Sequence, residues 1–260
     1  MIEKYKKDAQ TRAKRTISGV NLKVKSEKKK KENISNIRAI RSKKTVNIEN
    51  KKLKDSSKQW LLRHINDRFV AAAKKDGYIS RAAYKIIEIA EKFKVFDKQN
   101  TINIVDLGAA PGSWSEVIIR HFGDKINLVM VDLLELKTKI EGENVHFIQG
   151  DFTDIKIQDE IISYFNEKKI DLILSDIAAN ISGISSMDSL IMENILDNII
   201  SFTKLHLKSK GNLVFKGFHD CVSSDLMKNL RSLFKTVKIF KPEASRQSSS
   251  EIYVVCINLK

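Results

Sequence analysis

Seven short runs of β-branched and other apolar residues lie at 102–105, 126–131, 145–148, 170–174, 212–215, 236–240 and 252–257. Helix-length segments at 113–122, 158–167, 187–207 and 224–234 separate most of them. A near-continuous apolar strand needs cover on both faces of its sheet. The alternation therefore predicts an α/β fold, a mostly parallel seven-stranded sheet with helices on both faces. Only a loop joins the last two runs, which predicts an antiparallel pair at one edge. Two more helices are expected ahead of the first strand. Over 57–75, Leu61, Leu62, Ile65, Phe69 and Ala73 recur at helical spacing, and Lys74, Lys75 and Gly77 supply a stop. Ser80 is placed to cap the second helix, which turns Ile86, Ile87, Ala90 and Phe93 toward the core.

Charge divides the chain differently. Of 47 basic and 32 acidic residues, the first 58 positions hold 20 and 6, and the remaining 202 hold 27 and 26. Residues 1–56 thus form a basic extension with one aromatic residue, Tyr5, too polar to build a core, and are expected to be largely disordered. Such an arm is either a solubilising tail or an electrostatic guide to polyanions, with RNA phosphates the obvious target. Cys221 and Cys256 have no CxxC spacing, and the histidines form no ligand motif. A reducing, cytoplasmic setting without a metal site is expected. No apolar run approaches the ~20 residues of a membrane span, so no membrane partner is expected.

The stretch from Val105 to Val117 reads VDLGAAPGSWSEV. In an open α/β sheet, ligands bind at the carboxyl ends of the strands where the strand order reverses. Gly108 and Gly112 let the backbone turn sharply and approach a ligand. Their spacing departs from the dinucleotide fingerprint, and alone it is explained as well by a tight strand–helix turn. Asp132, Asp151 and Asp176 close three further strands. Asp132 stands where an acidic side chain accepts from ribose hydroxyls, and Asp151 within reach of an adenine amino group. With Asp106 they make an acidic site, hostile to a pyrophosphate and suited to a cationic nucleoside such as S-adenosylmethionine. Lys216 follows the fifth strand, Glu251 opens the last, and Lys85 sits on the second helix in SRAAYK. With Asp176 they could converge beside the methyl donor.

The pieces SRAAYK, VDLGAAPGSWS, QGDF, SDIAAN, RSLF, KPEASR and SEIYVV, in this order and spacing, resemble the FtsJ-type RNA ribose 2′-O-methyltransferases. The resemblance covers 57–260. It implies a Rossmann-like S-adenosylmethionine-dependent methyltransferase fold over that span. It implies donor contacts at Gly112, Trp114, Asp132, Asp151 and Asp176, beside Gly108, and a catalytic tetrad of Lys85, Asp176, Lys216 and Glu251. The implied substrate is a uridine 2′-hydroxyl of 23S rRNA in the large (50S) ribosomal subunit. The chain departs from the family pattern at Ser113, usually a second glycine, at Ala179, usually proline, and in VFKGFHD around Lys216. A tRNA or mRNA-cap substrate, or a non-catalytic role in ribosome assembly, are the alternatives. A nicotinamide-dependent oxidoreductase would want a GxGxxG turn that is missing here. Arg63, Arg68, Lys74, Lys75, Arg81 and Arg246 are candidate RNA contacts, with Trp60 and Tyr84 as candidate base-stacking rings, and a monomer is expected.

Overall fold

The computed structural model describes residues 67–96, 102–136, 138–178 and 185–260. The basic extension, Trp60, Arg63, Ala179 and the start of the expected first helix lie outside the described residues. The elements run α1 (Arg68–Asp76), α2 (Ala83–Phe93), β1 (Ile102–Leu107), α3 (Ser113–Phe122), β2 (Ile126–Asp132), β3 (Val145–Gln149) and α4 (Ile155–Tyr164). They continue with β4 (Ile170–Ser175), α5 (Ser185–His206), β5 (Leu207–Phe218), α6 (Ser224–Leu233), β6 (Phe234–Phe240) and β7 (Glu251–Leu259).

The seven strands form one sheet in the order β3-β2-β1-β4-β5-β7-β6. Strands β1 to β5 are parallel, and β7 is antiparallel to both β5 and β6. The expected antiparallel pair is there, but its inner member is the last strand, which inserts between β5 and β6. That insertion carries Glu251 from near the end of the chain to a position inside the sheet, between β5 and the edge strand β6. Pairing order reverses between β1 and β4, and the carboxyl ends of strands at such a reversal are where open α/β sheets bind ligands.

Successive residues of each strand feed opposite cores, as the period of a strand requires. Ile104, Leu128, Leu172, Val214 and Val255 pack with Ile86, Ile89 and Ile118 of α2 and α3. Their neighbours Val105, Val129, Ile173, Leu213 and Val254 pack with Ile161, Ile199 and Leu230 of α4, α5 and α6. β1 and β4 are buried at every position.

Local chemistry shifts several helix starts. Asp67 caps α1, accepting from the Phe69 N–H at 2.9 Å, and Gly77 closes it in the left-handed region at φ 70°. Ser80 does not cap α2, because Ala82 occupies that position. The Ser80 hydroxyl instead accepts from the Ala82 N–H at 3.1 Å and pairs with the Ser113 hydroxyl at 2.7 Å. The helix expected at 158–167 begins at Ile155, since Asp154 caps it by accepting from the Lys156 N–H at 3.0 Å. Asp154→Ala should lower stability by about 1 kcal/mol. In urea unfolding that appears as a lower midpoint at unchanged slope, and an unchanged midpoint would argue against the cap.

Candidate active site

The turn after β1 is closed by two main-chain bonds, in which Gly108 and Ala109 donate to the Val131 carbonyl at 2.8 and 3.1 Å. Gly108 has φ 75°, and a Cβ there would stand 2.7 Å from the Ile177 nitrogen. Gly112, at φ 107°, is the N-cap of α3, and a Cβ there would run into the Ile140 side chain. Both positions need glycine for conformation and for space. Ser113 is buried and bonded to Ser80, so the departure from a second glycine is absorbed by a hydroxyl pair.

Asp132 holds this turn from below. Its Oδ2 accepts from the Ala110 N–H and its Oδ1 from the Leu134 N–H, each at 2.8 Å. Burial raises its carboxyl above the ordinary value, against the pull of those bonds and of Lys216. Asp106 is deeper and fully buried. Its Oδ2 accepts from the Ser115 hydroxyl at 2.5 Å, while Oδ1 has no hydrogen-bond partner among the described residues. Burial first, then the charges of Asp176 and Asp132, push it up to about 7, opposed by Ser115. A buried carboxylate oxygen without a partner is costly, and beside two more carboxylates it marks a place suited to a cation.

The reactive side is a chain of contacts across four elements. Lys216 of β5 stands opposite Tyr253 of β7 in the sheet register. Lys216 Nζ lies 3.0 Å from Asp176 Oδ1 and also donates to the Asp176 carbonyl. The Tyr253 hydroxyl donates to Asp176 Oδ1 at 2.7 Å and accepts from Lys85 Nζ at 3.1 Å. Lys85 Nζ in turn lies 2.9 Å from Glu251 Oε1. Burial alone would raise the Asp176 carboxyl, but Lys216, Lys85 and the Tyr253 and Lys216 hydrogen bonds outweigh it and hold it below the ordinary value. Burial, then the charges of Asp176 and Glu251, keep the Tyr253 hydroxyl well above its ordinary value, so it remains a phenol.

All four tetrad residues expected from the sequence therefore meet, with Tyr253 as an unforeseen link. Its signal was available, because Tyr253 lies two residues after Glu251 and so on the same strand face. Gly108, Gly112 and Asp132 gather around the turn. Asp151 is exposed, its Oδ1 accepting from the Thr153 N–H and hydroxyl at 2.9 and 2.7 Å. The Trp114 side chain is spent on the core. Its indole N–H donates to the Ala82 carbonyl at 3.1 Å, and its ring packs 5.7 Å from that of Tyr253. What Trp114 offers a ligand is its main-chain N–H in the first turn of α3.

Residues 78–259 match the family described as FtsJ-like methyltransferase. The chain belongs to that family. A ribosomal RNA large subunit methyltransferase E from Psychrobacter cryohalolentis is 40% identical over 210 residues, 81% of this chain and 98% of that protein. One of the same name from Dechloromonas aromatica is 38% identical over 200 residues, 77% of this chain and 95% of that protein. A crystal structure from Plasmodium falciparum, described as a ribosomal RNA methyltransferase, superposes with a TM-score of 0.61 at 29% identity, covering 70% of this chain and 98% of that one.

In this methyltransferase the described residues contain no group of three or more histidine, cysteine or acidic side chains able to hold a metal. No described helix is long and apolar enough to cross a membrane. The raised Asp106 has a consequence for stability. From about pH 4 to 7 the folded state retains a proton that the unfolded chain has released, so stability falls as pH rises through that window. Asp106→Asn should remove the largest part of this slope, a few kcal/mol, leaving the smaller part that the raised Asp132 and Glu116 carboxyls contribute and the acid-side loss below pH 4 that Asp176 produces. Thermal unfolding of the ligand-free protein across pH 4–8 checks it, and an unchanged slope in the variant would refute the assignment.

Proposed function

We propose that this methyltransferase transfers the methyl group of S-adenosylmethionine to the ribose 2′-hydroxyl of a uridine in 23S rRNA of the large ribosomal subunit. The carrying observation is the unbroken chain Glu251–Lys85–Tyr253–Asp176–Lys216, set beside a glycine turn and three acidic strand ends. The relatives named ribosomal RNA large subunit methyltransferase E support the substrate class. A ribosomal substrate would place the activity in the cytoplasm.

The acidic site fits the donor's chemistry. Asp106 lies fully buried beneath it with an oxygen that has no partner among the described residues, and Asp132 has lone pairs left for ribose hydroxyls after its two main-chain bonds. Asp151 is exposed and would meet the adenine amino group, and the Trp114 N–H is a donor in the first turn of α3, while the Gly112 N–H closes the turn on the Ala109 carbonyl at 2.6 Å. When bound, the donor supplies a methyl group on a sulfonium that is already a good leaving group. The protein's work is alignment and charge. Holding two reactants in line can be worth ~7–11 kcal/mol.

The role of Lys216 is electrostatic: its Nζ, 3.0 Å from Asp176 Oδ1, donates toward the oxygen where negative charge develops. Asp176 aims that ammonium through both its carboxylate and its carbonyl. Tyr253 transmits the position of Asp176 to Lys85, and Glu251 completes the charge balance there. Burying Lys216 at 7% exposure is tolerable only because these partners are present.

Labelled methyl transfer to purified large subunits, free 23S rRNA and tRNA tests the proposal. Label should map to a ribose of the large subunit and fall by roughly 10²–10³-fold in Lys216→Ala. Label confined to tRNA would overturn the substrate, and a wild-type rate in Lys216→Ala would overturn the mechanism. The basic extension is expected to add affinity without chemistry. Removing residues 1–56 should raise KM for RNA, leave kcat unchanged and make the affinity less sensitive to salt. An unchanged salt dependence would return the extension to a solubilising role.

A further inference from the structure

Helix α2 carries Lys85, and its start is held from outside. Ala82 stands at its N-cap and makes no side-chain cap bond. The fixings come from the first turn of α3. The Ala82 carbonyl accepts the Lys85 N–H at 3.1 Å, and the Trp114 indole N–H joins it on the same oxygen at 3.1 Å. A carbonyl oxygen has two lone pairs, so both bonds form together. Beside them the Ser113 hydroxyl pairs with that of Ser80 at 2.7 Å, and Ser80 accepts from the Ala82 N–H at 3.1 Å. Further along α2, Glu88 is only 6% exposed and accepts from the Glu243 and Ala244 N–H groups at 2.7 and 2.9 Å. That clamp pins the helix to the loop before β7 and leaves the turn that carries Lys85 to be set by α3.

The same indole bears on the partner of the Lys85 ammonium. Trp114 is 3% exposed, and its ring lies 5.7 Å from that of Tyr253, tilted by 42°. Lys85 Nζ stands 5.5 Å from the centre of the Tyr253 ring and 3.1 Å from its hydroxyl. A buried indole N–H needs a partner, and a packing role asks no more than that. Here the partner is the carbonyl three residues before Lys85, and the packed ring belongs to Tyr253, which bonds Asp176. Both contacts therefore fall on members of the reactive chain. Trp114 also stands two residues after Gly112, the N-cap of α3. The helix turn assigned to the donor and the side chain that fixes Lys85 are thus one continuous piece.

We propose that Trp114, seconded by Ser113, is a positioning residue for methyl transfer: its indole N–H, through the Ala82 carbonyl, and its ring, against Tyr253, set where Lys85 meets Tyr253 and Glu251. This rests on the methyl-transfer reading above. The role is separate from the donor contact that the motif implies, because a main-chain N–H survives a change of side chain. A displacement of about 1 Å at a reacting group can lower a rate a hundredfold, so a residue that only holds Lys85 in place acts on the chemical step.

Trp114→Phe keeps a ring against Tyr253 and removes the N–H. In single-turnover methyl transfer to large subunits it should lower the rate roughly tenfold, while donor affinity by calorimetry and KM for RNA stay within about twofold. A cycle with Lys85→Ala separates positioning from general structure. In that background Trp114→Phe should change the rate by less than about twofold, because the group it positions is gone. An unchanged rate in Trp114→Phe, or losses that multiply in the double variant, would overturn the proposal. So would a loss of donor affinity large enough to account for the lower rate. Should Trp114→Phe not fold, Ser113→Ala, which frees Ser80 beside the Ala82 N–H, takes its place under the same criteria. Should the wild type methylate no RNA, the reaction reading fails by itself, and the side chain is read without turnover. Trace acetylation followed by mass spectrometry should then label Lys85 several-fold faster in Trp114→Phe than in wild type, with Lys216 unchanged. Equal labelling of Lys85, or Lys216 rising in step with it, would dismiss the positioning role.

Discussion

The Asp176 carboxylate is the interaction on which the site depends. It stands just past the end of β4, the strand beside the reversal of pairing order, and receives Lys216 from one side and Tyr253 from the other. A buried anion in that position is costly unless it is fully partnered. Its partners come from β5 and β7, and through Tyr253 from α2. Each of those elements must be in register for the charge to be tolerated. Removing one partner leaves a buried charge uncompensated, which costs far more than the pair contributes. The reactive geometry and the packing of the central sheet are therefore coupled.

The placement of β7 makes this coupling possible. A seventh strand added at the edge would leave Glu251 and Tyr253 at the rim of the sheet. Inserted between β5 and β6, it sets Tyr253 across from Lys216 and aims Glu251 at α2. The loop that precedes β7 is pinned to the same helix by Glu88 and Arg81. One helix face thus contacts both ends of the segment that crosses from β6 into the sheet. The acidic side obeys a different logic. Asp132 is satisfied by main-chain donors, whereas Asp106 keeps an oxygen unpartnered and a raised proton affinity. That is local instability retained in a place where a cationic ligand would relieve it.

Much of this was legible in the order of residues. Apolar runs alternating with helices specify strands covered on both faces, because burial on two sides leaves no polar face. The glycines of the first turn and the aspartates at the strand ends were visible because strand ends are where such sheets present side chains. Less visible were the helix starts. Asp154 outcompeted the apolar periodicity by capping, and Ser80 spent its hydroxyl on a turn and on Ser113. Trp114 looked like a ligand contact by position, yet its ring is absorbed by the packing between α2 and β7.

The chain alone determined its fold class, which follows from periodicity along one dimension, and carried the motifs whose resemblance to a known family implied the four charged residues that meet. The sheet order, the link through Tyr253 and the clamp of Glu88 on Ala244 were decided in three dimensions. They depend on contacts between residues 77 to 168 positions apart. No local pattern encodes which strand will neighbour which. That choice is made by the burial of both sheet faces together, and by the cost of leaving Asp176 without its partners.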